Sequence, residues 1–373
     1  MTASRNPLKR VADRLKELHG RHAERHRPSG FAFAISDRIG MLNSAAWDGV
    51  VAGKSVFMRR NVLGTIEAHP PENLSPRYAL ICDGDKPVAA IAAQLVDVAA
   101  GRVWRGSDES KEKPLTRLLK PAARKVVSRL EERVLVAGNL LSWGFHGIAF
   151  APGEDPASIW PGVAEALYRI RRAEKLVGQT DFAMVKDITS AEGHVEALRR
   201  FSYRPMQTEP NMVLQIDAAW RSYEDYLAAL DAKYRKNARD QLKKLAAAGC
   251  QMERVTDLRP LARRLHDLYL SVQSRASVKL ITLPSGFLPA LAEAAGDDFR
   301  CTAVRRGEAV LGFVTTLRDG DTAIAYYIGF DRAEAAGGVP LYLRLLHATV
   351  GFINNVGYSV RHRHRESAPE TGY

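Results

Sequence analysis

The stretch that decides the fold is Thr322 to Tyr358, TAIAYYIGFDRAEAAGGVPLYLRLLHATVGFINNVGY. Its first nine residues, Thr322 to Phe330, form a short apolar and aromatic strand. A Gly-containing loop follows, and a helix starts near Val339 or Pro340. The first amides of a helix lack internal partners and the macrodipole adds positive charge, so such a crossing can hold an anionic group such as a pyrophosphate. Gly337 and Gly338 leave room for close approach. The same arrangement also joins an ordinary α/β unit, so both readings stand on this segment alone.

Working outward, Cys301 to Arg318 reads as a two-strand hairpin turning at Arg306-Gly307-Glu308. Upstream helices are expected at Arg221 to Leu230, Lys233 to Ala248, Leu258 to Ser274 and Leu283 to Ala295, with Gly249 at a C-cap. The first half repeats this order. It has a helix from Ser44 to Arg59, a hairpin from Tyr78 to Val98 turning at Asp83 to Lys86, and the glycine-broken apolar stretch Val134 to Phe150. The turn Ala151 to Pro156 leads to a helix from Ile159 to about Leu176, a strand Phe182 to Ile188, a short helix His194 to Phe201 and a closing strand Met212 to Ile216. Between them lie a polar loop, Gly101 to Glu112, and a basic helix, Leu115 to Arg133. The fold class is therefore α/β (α+β mixed sheet), two copies of one architecture: a basic helical segment 1–29, a first domain 30–217 and a second 218–373. After Asn355 only Gly357 to Tyr373 remains, with Arg361 to Glu366 giving way to a tail, so the second copy is expected to be shortened.

At 373 residues with 46% hydrophobic content, the chain is long enough to bury a sizeable core. No apolar run is long enough to cross a bilayer, and Met1 to Gly20 lacks the apolar centre of a secretory signal, so a cytoplasmic location is expected. The three cysteines, Cys82, Cys250 and Cys301, have no metal or disulfide spacing. His362 and His364 sit in the tail, and no metal site is expected. There is no GxSxG, Walker loop or HExxH.

A formal charge of +12 calls for an anionic partner: a nucleotide carrier, an RNA, a phospholipid surface or an acidic substrate. Arg235, Arg239 and Lys243 recur every four residues beside Lys236 and share one helix face, which suits phosphate as well as solvent. Asn6 to Arg27 is a small basic amphipathic helix, fit for a frayed surface position or for peripheral membrane or RNA contact.

The resemblance rests on Gly144-Phe145-His146-Gly147 with Phe150 and Pro152, on Ala183 to Asp187, and on Lys233 to Arg239 continuing to Lys244. Val310 to Phe313 and Tyr327 to Asp331 add to it. From about Phe31 to Tyr358 the sequence resembles the GNAT superfamily, and more closely its twin-domain, Fem-type and peptidoglycan-biosynthesis-related branch. That likeness implies tandem GNAT-like domains, a bent mixed sheet whose parallel strands splay around an acyl donor, and acetyl-CoA or another acyl-CoA as that donor. The acceptor implied is a small-molecule or cell-wall-precursor amine, reached by direct attack. A Fem-like aminoacyl transfer from tRNA and a catalytically silent binding protein are the alternatives. Two departures bear on this: neither Asp331 to Gly338 nor Ala151 to Asp155 has the usual Arg or Gln followed by closely spaced glycines, and the second copy is expected to end short after Asn355.

Amine acylation needs a path for the ammonium proton, an oxyanion donor and an acid for the leaving group. The candidates are Tyr327, Asp331 and His146. By the two-residue strand period Tyr326 and Tyr327 face opposite sides, one to a cleft and one to the core. Asp331 either orients an amine or caps the loop; His146 sits between small neighbours that leave its ring accessible, or is a hydrogen-bonded structural residue. Lys186-Asp187 reads as a surface ion pair and His347 as a helix residue.

Overall fold

The computed structural model describes residues 7–99, 131–176, 178, 180–188, 196–207, 212–276, 279–351 and 359–362. The expected loop Gly101 to Glu112 and most of the basic helix Leu115 to Arg133 lie outside them, as do the start of the His194 helix and the tail beyond His362. Chain contacts divide the protein into two compact units: Met1–Ala52, Ser75–Val96 and Arg133–Gln207 form one, and Gly53–Leu74, Asp97–Glu132 and Thr208–Tyr373 the other.

The first unit opens with helix α1 (Pro7–His26) and strand β1 (Ala32–Ser36), followed by α2 (Ser44–Val51), whose Asn43 cap accepts from the Ala46 amide. β2 (Leu74–Asp83) and β3 (Lys86–Ala99) form the expected hairpin, turning at Gly84 with φ +57°. β4 (Glu131–Ala137), β5 (Ile148–Phe150), helix α4 (Pro156–Ala173), β6 (Phe182–Val185) and the short α5 (Glu196–Arg199) complete it. Strands run β1-β2-β3-β4-β6 with β5 on β3, and β4 and β6 are parallel. One face carries α4: Ile159, Trp160, Val163, Ala164, Leu167 and Ile170 pack on Ile81, Ile91 and Leu135.

The second unit holds β7 (Met212–Leu214), α6 (Tyr223–Ala229), α7 (Ala232–Ala247), β8 (Gln251–Val255), α8 (Ala262–Gln273) and α9 (Phe287–Ala295). The hairpin β9 (Phe299–Arg306) and β10 (Ala309–Asp319) follows, then β11 (Thr322–Phe330), α10 (Arg332–Ala336), α11 (Leu341–Gly351) and β12 (Ser359–His362). Their order is β7-β12-β11-β10-β9-β8, with β11 and β12 parallel.

Three expectations are corrected here. Met212 to Ile216 does not close the first sheet: β7 pairs with β12 at the edge of the second. Nor does His362 sit in a tail, since it lies in β12 and pairs with Met212. The helix expected from Ser44 to Arg59 ends at Val51, and Gly53–Leu74, with α3 (Arg60–Ala68), joins the second unit. Composition hides this third point because the anchoring partners lie more than two hundred residues on: Val56 donates its amide to Asp319 at 2.6 Å, and Arg59 bonds Asp298 at 2.6 Å.

Asp298 is 8% exposed and also receives Arg318. Burial alone would raise its carboxyl, but the bonds from Arg59 and Arg318 outweigh that and hold it below the ordinary carboxylate range. The stabilisation this confers is full above the unfolded-state value and is lost as pH falls through the depressed folded value. Asp298→Ala is expected to cost about 1–3 kcal/mol at neutral pH and less in strong acid, checked by urea unfolding at both pH values.

Candidate active site

In the second unit the parallel pair comes apart. β11 pairs with β12 only at Thr322–Ser359, Ala323–Val360 and Ile324–Arg361, so among the described residues no strand takes that side of Ala325 to Phe330. At the same level β11 bulges. Val314 faces Ile328 and Thr316 faces Ala325, leaving Thr315 alone opposite both Tyr326 and Tyr327. The bulge breaks the two-residue period, and the expectation that the two tyrosines face opposite sides does not hold. Their rings meet at 4.5 Å, Tyr326 against Phe57 and Tyr327 against Tyr269. Burial raises both phenols well above their ordinary value, so both stay protonated at neutral pH.

Beyond Phe330 the chain turns into α10 before reaching the glycines, an element the sequence reading missed. Asp331 caps it, accepting from the amides of Ala333 and Glu334 at 3.0 and 3.3 Å and from Arg264 at 3.1 Å. Burial would raise this carboxyl; those donors outweigh it and lower it. Asp331 is thus committed as a cap and ion-pair partner. A second acid here, Glu334, is matched by Arg306 at 2.9 Å. Gly337 ends α10, and Gly338, at φ +97° with nothing within 4 Å of an added Cβ, leads through Val339 and Pro340 into α11, whose first turn holds no acid. Helix start and open edge therefore belong to one crossing, built on Leu341 and Leu345, both fully buried.

α7 packs beside α11, with Leu245 in the cluster around Leu341 and Leu345, and leaves Lys236, Arg239, Lys243 and Lys244 exposed. Arg235 bonds the Ala228 carbonyl at 2.7 Å and Arg239 pairs with Glu224 at 3.3 Å, both in exposed surroundings, while Lys243 is exposed. Two of the three residues proposed for a phosphate row, Arg235 and Arg239, are thus already engaged within the protein. The sequence reading also missed a buried group on α11. Arg344, 4% exposed, donates to the Tyr223 hydroxyl at 3.0 Å, which lies 2.7 Å from Nδ1 of His347.

The first unit answers differently at the matching place. β4 leaves the sheet at Gly138 and resumes as β5 after Gly147, and both glycines bond Ala92 of β3. The excursion between them, Asn139 to His146, folds in on itself. Asn139 bonds Gln94 and the Leu141 amide, Asp187 takes the Gly144 amide at 2.8 Å, and Lys186 reaches the Ser142 carbonyl at 2.9 Å and Asp187. Lys186-Asp187 is therefore an internal pin, with Asp187 at φ +56°, and not a surface pair. His146, for which an accessible ring and a structural role both stood open, is 6% exposed inside the excursion. The next helix, α4, starts on Asp155, which caps the Ala157 amide, with Pro156 at its first position. A carboxylate stands where an anion would sit.

The acetyltransferase (GNAT) domain family matches residues 232–353. FemX has a similar solved structure, at 8% identity over 91% of this chain and 90% of that one, with a TM-score of 0.51. Residues 232–353 thus match a GNAT domain, and the chain as a whole shares the fold of FemX. A tandem GNAT protein from the clavulanic acid biosynthesis pathway aligns at 12% identity over 89% of this chain and 90% of that one, with a TM-score of 0.44. L-PGS from Bacillus licheniformis aligns at 11% over 84% and 78%, with a score of 0.43. No curated protein matches the chain.

An added Cβ at Gly147 would lie 2.2 Å from the Gly138 nitrogen, so Gly147→Ala is expected to cost more than about 2 kcal/mol and to lower the melting temperature by several degrees. Asp331→Ala is expected to cost about 1 kcal/mol through loss of the cap, read from the same melts.

Proposed function

We infer that this GNAT-like protein is an N-acyltransferase that moves an acetyl or other acyl group from coenzyme A to an amine, with the donor held in the second unit. The observation that carries the reading is the β11 stretch Ala325 to Phe330, beyond its pairing with β12 among the described residues, which holds the bulge and ends beside the acid-free start of α11. An extended pantetheine arm carries amides that bond a strand edge, and a pyrophosphate suits the helix amides after Gly338. In the first unit the same places are taken by the Asn139–His146 excursion and the Asp155 cap, which argues against a donor there.

In this reading the amine attacks the thioester carbonyl, a C–N bond forms as the C–S bond breaks, and the thiolate leaves with a proton. Tyr327, kept protonated by burial, supplies the acid, and the ammonium proton passes to solvent. Asp331 holds the loop in place and does not touch the reacting atoms. His146 has no part. Arg239 and Lys243 add long-range attraction for the anionic carrier.

A second reading, aminoacyl transfer from tRNA to a cell-wall precursor, draws on the outward face of α7, where Lys236, Lys243 and Lys244 are exposed. Calorimetry separates the two. Coenzyme A is expected to bind at micromolar to millimolar concentration, and Gly338→Val, forcing a β-branched residue to φ +97°, is expected to weaken it at least tenfold. No binding at millimolar coenzyme A, together with charged-tRNA binding of steep salt dependence, would overturn the first reading in favour of the second.

A further inference from the structure

We propose that Thr315 is a positioning residue of the transfer site, its buried hydroxyl setting the β11 bulge from which the donor-binding edge starts. This rests on the reading of that edge as the donor site. Thr315 is the single β10 residue facing two residues of β11, and it is fully buried. On its other side it pairs with Cys301 of β9. Its side chain then does for the bulge what a ladder does for a regular strand: Oγ1 accepts from the Tyr327 amide at 2.9 Å and donates to the Tyr327 carbonyl at 3.2 Å.

The consequence is geometric. A bulge inserts an unmatched residue, and an unmatched amide and carbonyl in a dry interior cost free energy unless something meets them. A hydroxyl is both donor and acceptor, so a single threonine meets both. Valine has the same shape without either function. With both groups of Tyr327 turned to Thr315, the peptides flanking the bulge have their directions fixed, and the rings of Tyr326 and Tyr327 are held in contact. The bulge begins two residues past Ile324, the last β11 residue paired with β12, so the hydroxyl acts close to where the edge opens. Gly329, whose added Cβ would lie 2.6 Å from the backbone of Leu268 and Tyr269, fixes the strand on the far side of the bulge. Between these two anchors the edge has little freedom to slip, and a slip of one residue would invert every group it presents.

The test compares Thr315→Val and Thr315→Ser in the full chain, by amide hydrogen exchange at Tyr327 and by calorimetry with coenzyme A. The valine variant is expected to speed exchange at Tyr327 at least tenfold and to weaken coenzyme A about tenfold, and the serine variant to restore both to within about threefold. Wild-type exchange and affinity in Thr315→Val would overturn the proposal, as would equal losses in both variants, which would assign the effect to packing. Should the valine chain not fold, Thr315→Ala gives the same pair of readings. A wild-type chain that binds no coenzyme A overturns the donor reading and the proposal with it, whereas wild-type binding that Thr315→Val leaves untouched overturns the proposal alone.

Discussion

Neighbouring parallel strands cannot be joined by a tight turn, so the chain must leave the sheet and return by a crossover. Both units contain one such pair, β4 with β6 and β11 with β12. Where the strands of a pair part, backbone groups lose their partners, and in a folded interior those groups must be met by something else. Much of what distinguishes the two units follows from how each meets that demand.

The first unit meets it internally. The strand breaks at Gly138, an eight-residue excursion fills the space, and the ends close so tightly at Ala92 that Gly147 admits no side chain. Gln94, Asn139, Lys186 and Asp187 form the polar lining, each bonded to backbone of the excursion or to one another. Such a satisfied network is rigid. The second unit keeps its edge, spends a threonine hydroxyl on the bulge, and neutralises the acids of the following loop with Arg264 and Arg306. Duplicated architecture thus carries one place filled by its own chain and one that no strand fills among the described residues.

Much of this was legible in the sequence. The hairpins announced themselves by polar turns with glycine at positive φ, at Gly84 and Gly307, and β11 is bounded as its apolar run suggests. Helices α4, α7 and α9 lie within a few residues of their apolar periodicity. The candidate residues fared unevenly. Gly338 and the start of α11 lie at the crossing, while Asp331 is taken up as a cap and His146 is enclosed. Neither fate has a local signature, since a capping aspartate and a catalytic one look alike until their donors are known.

The sequence by itself determined most of the longer elements, their order and the repeat, because periodicity, turn chemistry and caps act over a few residues. Tertiary structure alone decided which strands share a sheet, that Gly53–Leu74 packs with Asp298 and Asp319, that β7 pairs with β12, and that β11 bulges at its tyrosines. The physical reason is range. A strand's partner is chosen by hydrogen bonds and buried area contributed from far along the chain, and a bulge exists only relative to the strand it fails to match.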